Sequence, residues 1–173
     1  MTDVEVRKLR HTDRRGLFDC GEPVLNRFLK ERARQAQDRG QSVTYVALDG
    51  DEVIGYVTLL PAAIDPELLR ARAFDLSLPR QPVPVLLLAR MGTTIDTRES
   101  GTARRRIGTL LMDEVRRRAR EVRALVGCVG VLTDAKPGSQ GFYARHGFAV
   151  LEDPPTSADP TRMFAVFETF APS

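Results

Sequence analysis

The sequence predicts a mixed α/β fold, a mixed sheet covered by helices, and three observations carry that expectation. Two β-branched runs, Val43 to Leu48 and Val53 to Leu60, flank Asp49-Gly50-Asp51, which is a hairpin signal. An apolar segment, Val83 to Met91, leads into a long amphipathic stretch from about Arg105 to Val122. A further apolar run, Val126 to Leu132, is followed by a short helix and two more strands. With 173 residues, 42% hydrophobic and 28% charged, the composition fits one soluble domain spanning 1–173 with a sizeable core.

In chain order, Val4 to Leu9 reads as a short strand. Glu22 to Arg39 reads as a helix, because Val24, Leu25, Phe28, Leu29 and Ala33 recur at helical spacing and Gly40 follows as a C-cap. The hairpin comes next. Pro61 to Pro82 is a polar connection that holds four of the eleven prolines. After the Val83 to Met91 strand, Ile107, Leu110, Leu111, Val115, Ala119 and Val122 line one face of the long helix, with most arginines on the other. Pro137 to His146 is a short helix that begins at proline and stops before Gly147. Phe148 to Leu151 and Met163 to Phe170 complete the sheet. No internal repeat or low-complexity tract is present.

Charge narrows the function. The net charge is only +3, yet between Arg104 and Arg123 eight arginines face Asp113, Glu114 and Glu121, a local excess of five positive charges. Such a face is the footprint of a polyanionic partner, or else a solvated helix face that keeps the chain soluble. Cys20 and Cys128 lack metal-ligand spacing and are too few for a disulfide framework, so no metal site is expected. The start has no apolar leader and no run approaches the roughly 20 apolar residues of a membrane span. A cytoplasmic protein without membrane contact is expected.

The stretch from Gly101 to Val122 carries the most chemistry. A strand, a tight loop and a helix N-terminus form a phosphate cradle, because first-turn N–H groups lack partners and carry the positive end of the helix dipole. A pyrophosphate-bearing ligand is the first candidate.

Three stretches together then carry a family resemblance. Ile107-Gly108-Thr109-Leu110-Leu111-Met112 at the helix start, Gly141-Phe142-Tyr143-Ala144-Arg145-His146-Gly147-Phe148, and the order of elements resemble the GNAT superfamily of acetyltransferases over nearly the whole chain. Phe18-Asp19-Cys20-Gly21, Leu25-Asn26-Arg27-Phe28-Leu29 and Pro84-Val85-Leu86-Leu87-Leu88-Ala89-Arg90 resemble, more narrowly, the TacT-like toxins of bacterial toxin–antitoxin pairs. The resemblance implies a mostly antiparallel sheet of six or seven strands flanked by about four helices. It also implies acetyl-CoA as donor, with its pantetheine arm on backbone near Met91 to Thr93 and its pyrophosphate on the loop and helix start.

The family's phosphate loop, Gln or Arg, two residues, Gly, one residue, then Gly or Ala, fits here in two registers. One places Ala103, Arg106 and Gly108 on the three positions, keeps the helix face in phase, and lacks the first polar residue and the middle glycine. It is the preferred register, and it assigns cofactor contacts to Met91, Thr93, Arg104, Arg105, Arg106, Gly108 and Thr109, the arginines adding charge-assisted bonds. The other places Arg98, Gly101 and Ala103 there, which satisfies the letters but puts three arginines in the first turn.

By the same resemblance Tyr143 protonates the leaving CoA thiolate, a role open to a phenol near pKa 10; the alternative is a core aromatic beside Phe142 and Phe148. His11 and His146 read as surface or capping residues, which leaves no evident general base. An α-amino group near 7.7 to 8.0 needs none, whereas a lysine near 10.4 does. TacT-like relatives acetylate the amino acid on charged tRNA, and Arg116, Arg117, Arg120 and Arg123 are the expected contacts to its phosphates. A ribbon-helix-helix antitoxin and a homodimer complete the expectation. The competing readings are a GNAT enzyme of a small amine or protein N-terminus, and a degenerate GNAT that acts only as a binding partner in a repressor complex, motivated by the missing loop glycine.

Overall fold

The computed structural model describes residues 3–72, 74, 77–95 and 101–170, with 101–105 described as backbone alone. Its strands are β1 (Glu5–Lys8), β2 (Val43–Asp49), β3 (Glu52–Ile64), β4 (Val83–Thr93), β5 (Gly130–Ala135), β6 (Ala149–Glu152) and β7 (Thr161–Val166). They hydrogen-bond in the order β1-β2-β3-β4-β5-β7-β6. The pairs β1–β2, β2–β3, β5–β7 and β6–β7 are antiparallel and β4–β5 is parallel, so the sheet is mixed and mostly antiparallel, as expected. The helices are α1 (Pro23–Arg27), α2 (Ala33–Asp38), α3 (Pro66–Ala71), α4 (Gly101–Leu125), α5 (Gln140–Arg145) and α6 (Phe167–Phe170), with a π-helical turn, Phe28–Arg32, joining α1 to α2. None is long and apolar enough to cross a membrane among the described residues.

The chain divides into two compact units, Met1–Leu60 with Ala89–Val115, and Pro61–Leu88 with Arg116–Ser173. In the first, Gly50 turns the β2–β3 hairpin at φ +61°, a conformation that glycine adopts without Cβ strain. Leu9, Phe18, Leu29, Val46, Leu48 and Tyr56 form its core. The Tyr56 ring packs edge-on to Phe18 at 5.5 Å and its hydroxyl donates to the Leu25 carbonyl at 2.9 Å, which fixes α1 on the sheet. Burial pushes that phenol well above its ordinary pKa, so it stays a donor. Gly55 marks where α4 lies closest: a Cβ there would sit 2.7 Å from Ile107 Cγ2 and 3.1 Å from Leu111 Cδ1. Asp13, buried, takes two bonds from the Arg7 guanidinium at 2.8 and 3.0 Å and one from the Arg10 N–H at 2.7 Å.

In the second unit, Ile64, Leu69, Val83, Val85, Leu132 and Phe164 form the core. β4 pairs with β5 in parallel over Leu86–Leu88 and Val131–Thr133. Gly130 is obligatory in this packing, because a Cβ would lie 2.3 Å from both the Ala165 carbonyl oxygen and the Phe164 ring.

Several sequence expectations are corrected. The single helix Glu22 to Arg39 is interrupted by the π-turn, and Val24, expected on its buried face, is 71% exposed. Helix α3 lies in the stretch read as a connection; Asp65 caps it by accepting from the Glu67 N–H at 2.9 Å, with Pro66 in the first turn. β5 starts at Gly130 rather than Val126, because Gly127, at φ +91°, closes α4 by donating to the Val122 carbonyl at 3.1 Å. The last run, Met163 to Phe170, changes from strand to helix at Phe167.

Candidate active site and basic surfaces

The sequence around Tyr143 folds as it does because of its glycines. After α5, the Gly147 N–H donates to the Ala144 carbonyl at 3.2 Å and the Phe148 N–H to the Tyr143 carbonyl at 3.1 Å. Gly147 takes φ +94°, so these two bonds complete a Schellman cap, with Tyr143 and Phe148 at the two positions whose side chains meet in that motif. Their rings do meet, 5.4 Å apart at 69°. Phe142 flanks the other side at 5.3 Å. Tyr143 is therefore held rigidly, 7% exposed.

Its phenol is raised above its ordinary pKa by burial, against an opposing hydrogen bond with the Thr133 hydroxyl. Thr133 in turn donates to the Leu88 carbonyl at 3.0 Å. A buried phenol of raised pKa carries its proton at neutral pH and can give it to an anion that forms beside it. Thr133 escaped the sequence reading; a polar side chain directly after the apolar run Val126 to Leu132 was its only trace.

Arg116 braces this helix. Its Nε donates to the Phe170 carbonyl at 2.9 Å, and its Nη2 lies 3.1 Å from His146 Nδ1 and 3.4 Å from the His146 carbonyl oxygen. A guanidinium only donates, so in this contact Nδ1 is the acceptor. The Phe170 ring lies 5.0 Å from the guanidinium and 5.3 Å from the Phe148 ring. Arg123 similarly binds Glu168 at 3.0 Å and the Cys128 carbonyl at 3.3 Å, and lies 4.2 Å over the Phe167 ring. Two of the four arginines expected to meet an acceptor nucleic acid are thus occupied in fastening α6 and the end of α5. Arg117 and Arg120 are exposed. His146 caps α5, as expected, and His11 is exposed.

The residues expected to hold the donor lie in the other unit. Met91 and Thr93 are half-buried at the end of β4, which runs on from its parallel pairing at Leu88 to Thr93. The two phosphate-loop registers fall on different turns of α4. Helix α4 already begins at Gly101, so Arg106, Gly108 and Thr109 stand in its second and third turns rather than in a loop. In a helix their N–H groups are committed to carbonyls four residues back and cannot cradle a phosphate. Arg106 and Thr109 are exposed and Gly108 is buried. The other register puts Gly101 and Ala103 in the first turn, where the N–H groups are unpaired. Its Arg98 lies outside the described residues, as do the side chains of Arg104 and Arg105. No group of three His, Cys, Asp or Glu that could hold a metal occurs among the described residues.

No family model matches the chain. It is 26% identical, over 154 residues and 86% of each chain, to a tRNA-acetylating toxin of Mycobacterium tuberculosis. Among solved structures it superposes on a tyrosine-to-phenylalanine mutant of KacT with a TM-score of 0.82 and 24% identity, covering 96% of both chains. It also superposes on AtaT complexed with acetyl-methionyl-tRNAfMet, with a TM-score of 0.77 and 20% identity over 96% of both chains. AtaT has further been solved with the C-terminus of the antitoxin AtaR and acetyl-CoA, at a TM-score of 0.72 and 18% identity, over 97% of this chain and 96% of that one. The fold of this chain is that of these toxins.

Proposed function

We propose that this chain is a TacT-like acetyltransferase toxin of the GNAT superfamily, which transfers the acetyl group of acetyl-CoA to the α-amino group of aminoacyl-tRNA and so blocks translation. The observation that carries this reading is the match to a tRNA-acetylating toxin across 86% of both chains, not at one motif alone. In this reading residues 1–173 act as one catalytic domain.

The chain's donors fit acetyl-CoA. The backbone of Met91 to Thr93 offers N–H and C=O groups to the amides of the pantetheine arm, and the first turn of α4, from Gly101, offers unpaired N–H groups to the pyrophosphate. Placing the phosphate motif at Arg98, Gly101 and Ala103 restores the glycine that the other register lacks, which removes the motive for a degenerate, non-catalytic reading. Arg104, Arg105 and Arg106 then add charge in the first two turns.

Acetyl-CoA supplies an acyl group activated as a thioester. The acceptor amine, already partly neutral at cell pH, forms the new C–N bond to the acyl carbon as the C–S bond breaks. Tyr143 gives its phenolic proton to the departing sulfur and is reprotonated with the proton the nitrogen sheds, through water. No side chain is required as base, which agrees with a His146 whose Nδ1 is engaged by Arg116. Arg117 and Arg120 are the α4 arginines assigned to acceptor phosphates.

The chain acts in the cytoplasm, as a homodimer, and is neutralised by an antitoxin of ribbon-helix-helix type; antitoxin-bound structures of AtaT support the existence of such a partner. Radiolabelled acetyl-CoA offered with charged tRNA, uncharged tRNA and free amino acids tests the reading. Label is expected on charged tRNA alone; label on free amines would turn the assignment to a small-amine enzyme.

A further inference from the structure

The π-turn has a consequence for charge. A π-helix closes i→i+5 bonds, and its wide turn brings residues five apart onto one face. Arg27 and Arg32 are such a pair, one at the end of α1 and one at the end of the π-turn. Both line a groove of about 120 Å³ whose other walls are Val24, Phe28 and Arg90. In a continuous α-helix these two arginines would diverge around the axis.

Arg90 comes from β4, and its guanidinium carbon lies 3.9 Å over the centre of the Phe28 ring. Stacking fixes the plane of the guanidinium and leaves its N–H edge for a ligand. Among the described residues, Arg7, Arg34, Arg118, Arg123 and Arg162 each meet a carboxylate. Arg27, Arg32 and Arg90 meet none there. Three like charges gathered with no counter-charge among the described residues repel one another, and an anion relieves that cost. Val24, 71% exposed, adds an apolar wall suited to a sugar or base. Arg90 directly precedes Met91, so the groove borders the strand end assigned to the donor.

We propose that the groove of Arg27, Arg32 and Arg90 binds the phosphodiester backbone at the single-stranded 3′ end of the acceptor RNA. The proposal rests on the acetyltransferase reading for its choice of RNA over other polyanions. Phosphates seated there position the 3′ end without reading its sequence.

The test uses the double variant Arg27→Gln/Arg32→Gln and the single variant Arg90→Lys. Binding of uncharged tRNA is followed by fluorescence anisotropy across a salt series, beside turnover on charged tRNA and on an aminoacylated adenosine, which lacks phosphate. The double variant is expected to bind tRNA about tenfold or more weakly, with a log–log salt slope shallower by about 0.7 per lost contact. Turnover on aminoacyl-adenosine and affinity for acetyl-CoA stay at the parent level, which also reports an intact fold. Arg90→Lys keeps the salt slope and weakens binding, since the charge remains while the stacked plane is lost. An unchanged tRNA affinity and slope in the double variant would overturn the proposal. Loss of antitoxin binding with tRNA binding intact would likewise overturn it and assign the groove to a protein partner. If the parent acetylates no charged tRNA, the functional reading fails, while the RNA-binding result still decides the groove.

Discussion

The arginines of the second half of α4 and those around the π-turn are alike in residue type and differ in what surrounds them. Arg116 and Arg123 point at carbonyls, an imidazole, a glutamate and aromatic rings of their own chain, and close the C-terminal segment onto the helix. Arg27, Arg32 and Arg90 converge on a groove with no carboxylate of their own chain in reach among the described residues. A run of positive charge along a helix therefore does not by itself mark a binding face. Whether the charge is answered within the chain decides between fastening and recruitment, and a contact only a few ångströms long carries that decision.

The largest effect that would sharpen this contrast is chemical. Tyr143→Phe keeps the ring, the Schellman cap and both basic regions, and removes only the proton donor. Turnover is expected to fall by about a hundredfold or more, with acetyl-CoA and tRNA affinities unchanged. Unchanged turnover in steady-state kinetics would return Tyr143 to the core.

Next comes the brace. Arg116→Ala removes bonds to the Phe170 carbonyl and to His146. A loss of about 2 kcal/mol is expected, seen as a drop of roughly 4 to 8 °C in Tm, because charged hydrogen bonds in a partly buried setting disappear together. Turnover falls with it, since the helix bearing Tyr143 loosens, but the salt slope of tRNA binding stays put. A shallower slope would erase the distinction between the two regions.

Gly147→Ala probes the cap alone. An L-residue at φ +94° is strained, so a cost of about 1 kcal/mol is expected in denaturant unfolding, with no change in RNA binding. A neutral result would mean that the α5 end tolerates another geometry.

The smallest effect concerns a third kind of arginine, one fully answered by an acid. Burial raises the Asp13 carboxyl, but the Arg7 guanidinium and the Arg10 N–H outweigh it and hold the group below its ordinary pKa. The pair therefore adds stability that is present above pH 4 and lost as pH falls through the lowered pKa. The loss is expected to show as a steeper acid limb below pH 4 in denaturant unfolding, and Asp13→Asn should abolish that share of it. An identical acid limb in the variant would show that the pair contributes nothing there.

Much of the fold was legible in the chain. The hairpin at Asp49-Gly50-Asp51, the apolar strand from Val83 and the glycine that ends the Tyr143 helix all write their geometry in local residue types. The π-turn was not legible, because Leu25, Phe28 and Leu29 fit an ordinary helix and only tertiary packing selects the wider turn. The start of α4 was misjudged for a related reason. The apolar phase beginning at Ile107 shows where the helix meets the sheet, not where it starts. The roles of Arg116 and Arg123 depended on partners some 45 to 54 positions away in sequence, which no local pattern displays. The groove needed several of these at once: a π-turn, a strand residue and no counter-charge among the described residues.

After reaction of the protein with acetyl-CoA and charged tRNA, the tRNA is isolated, its ester is cleaved with mild base, and the released amino acid is weighed by mass spectrometry. An N-acetylated amino acid is expected, absent when the tRNA is uncharged and strongly diminished with Tyr143→Phe. An unmodified amino acid, with acetyl-CoA consumed elsewhere or left intact, would contradict the proposed transfer.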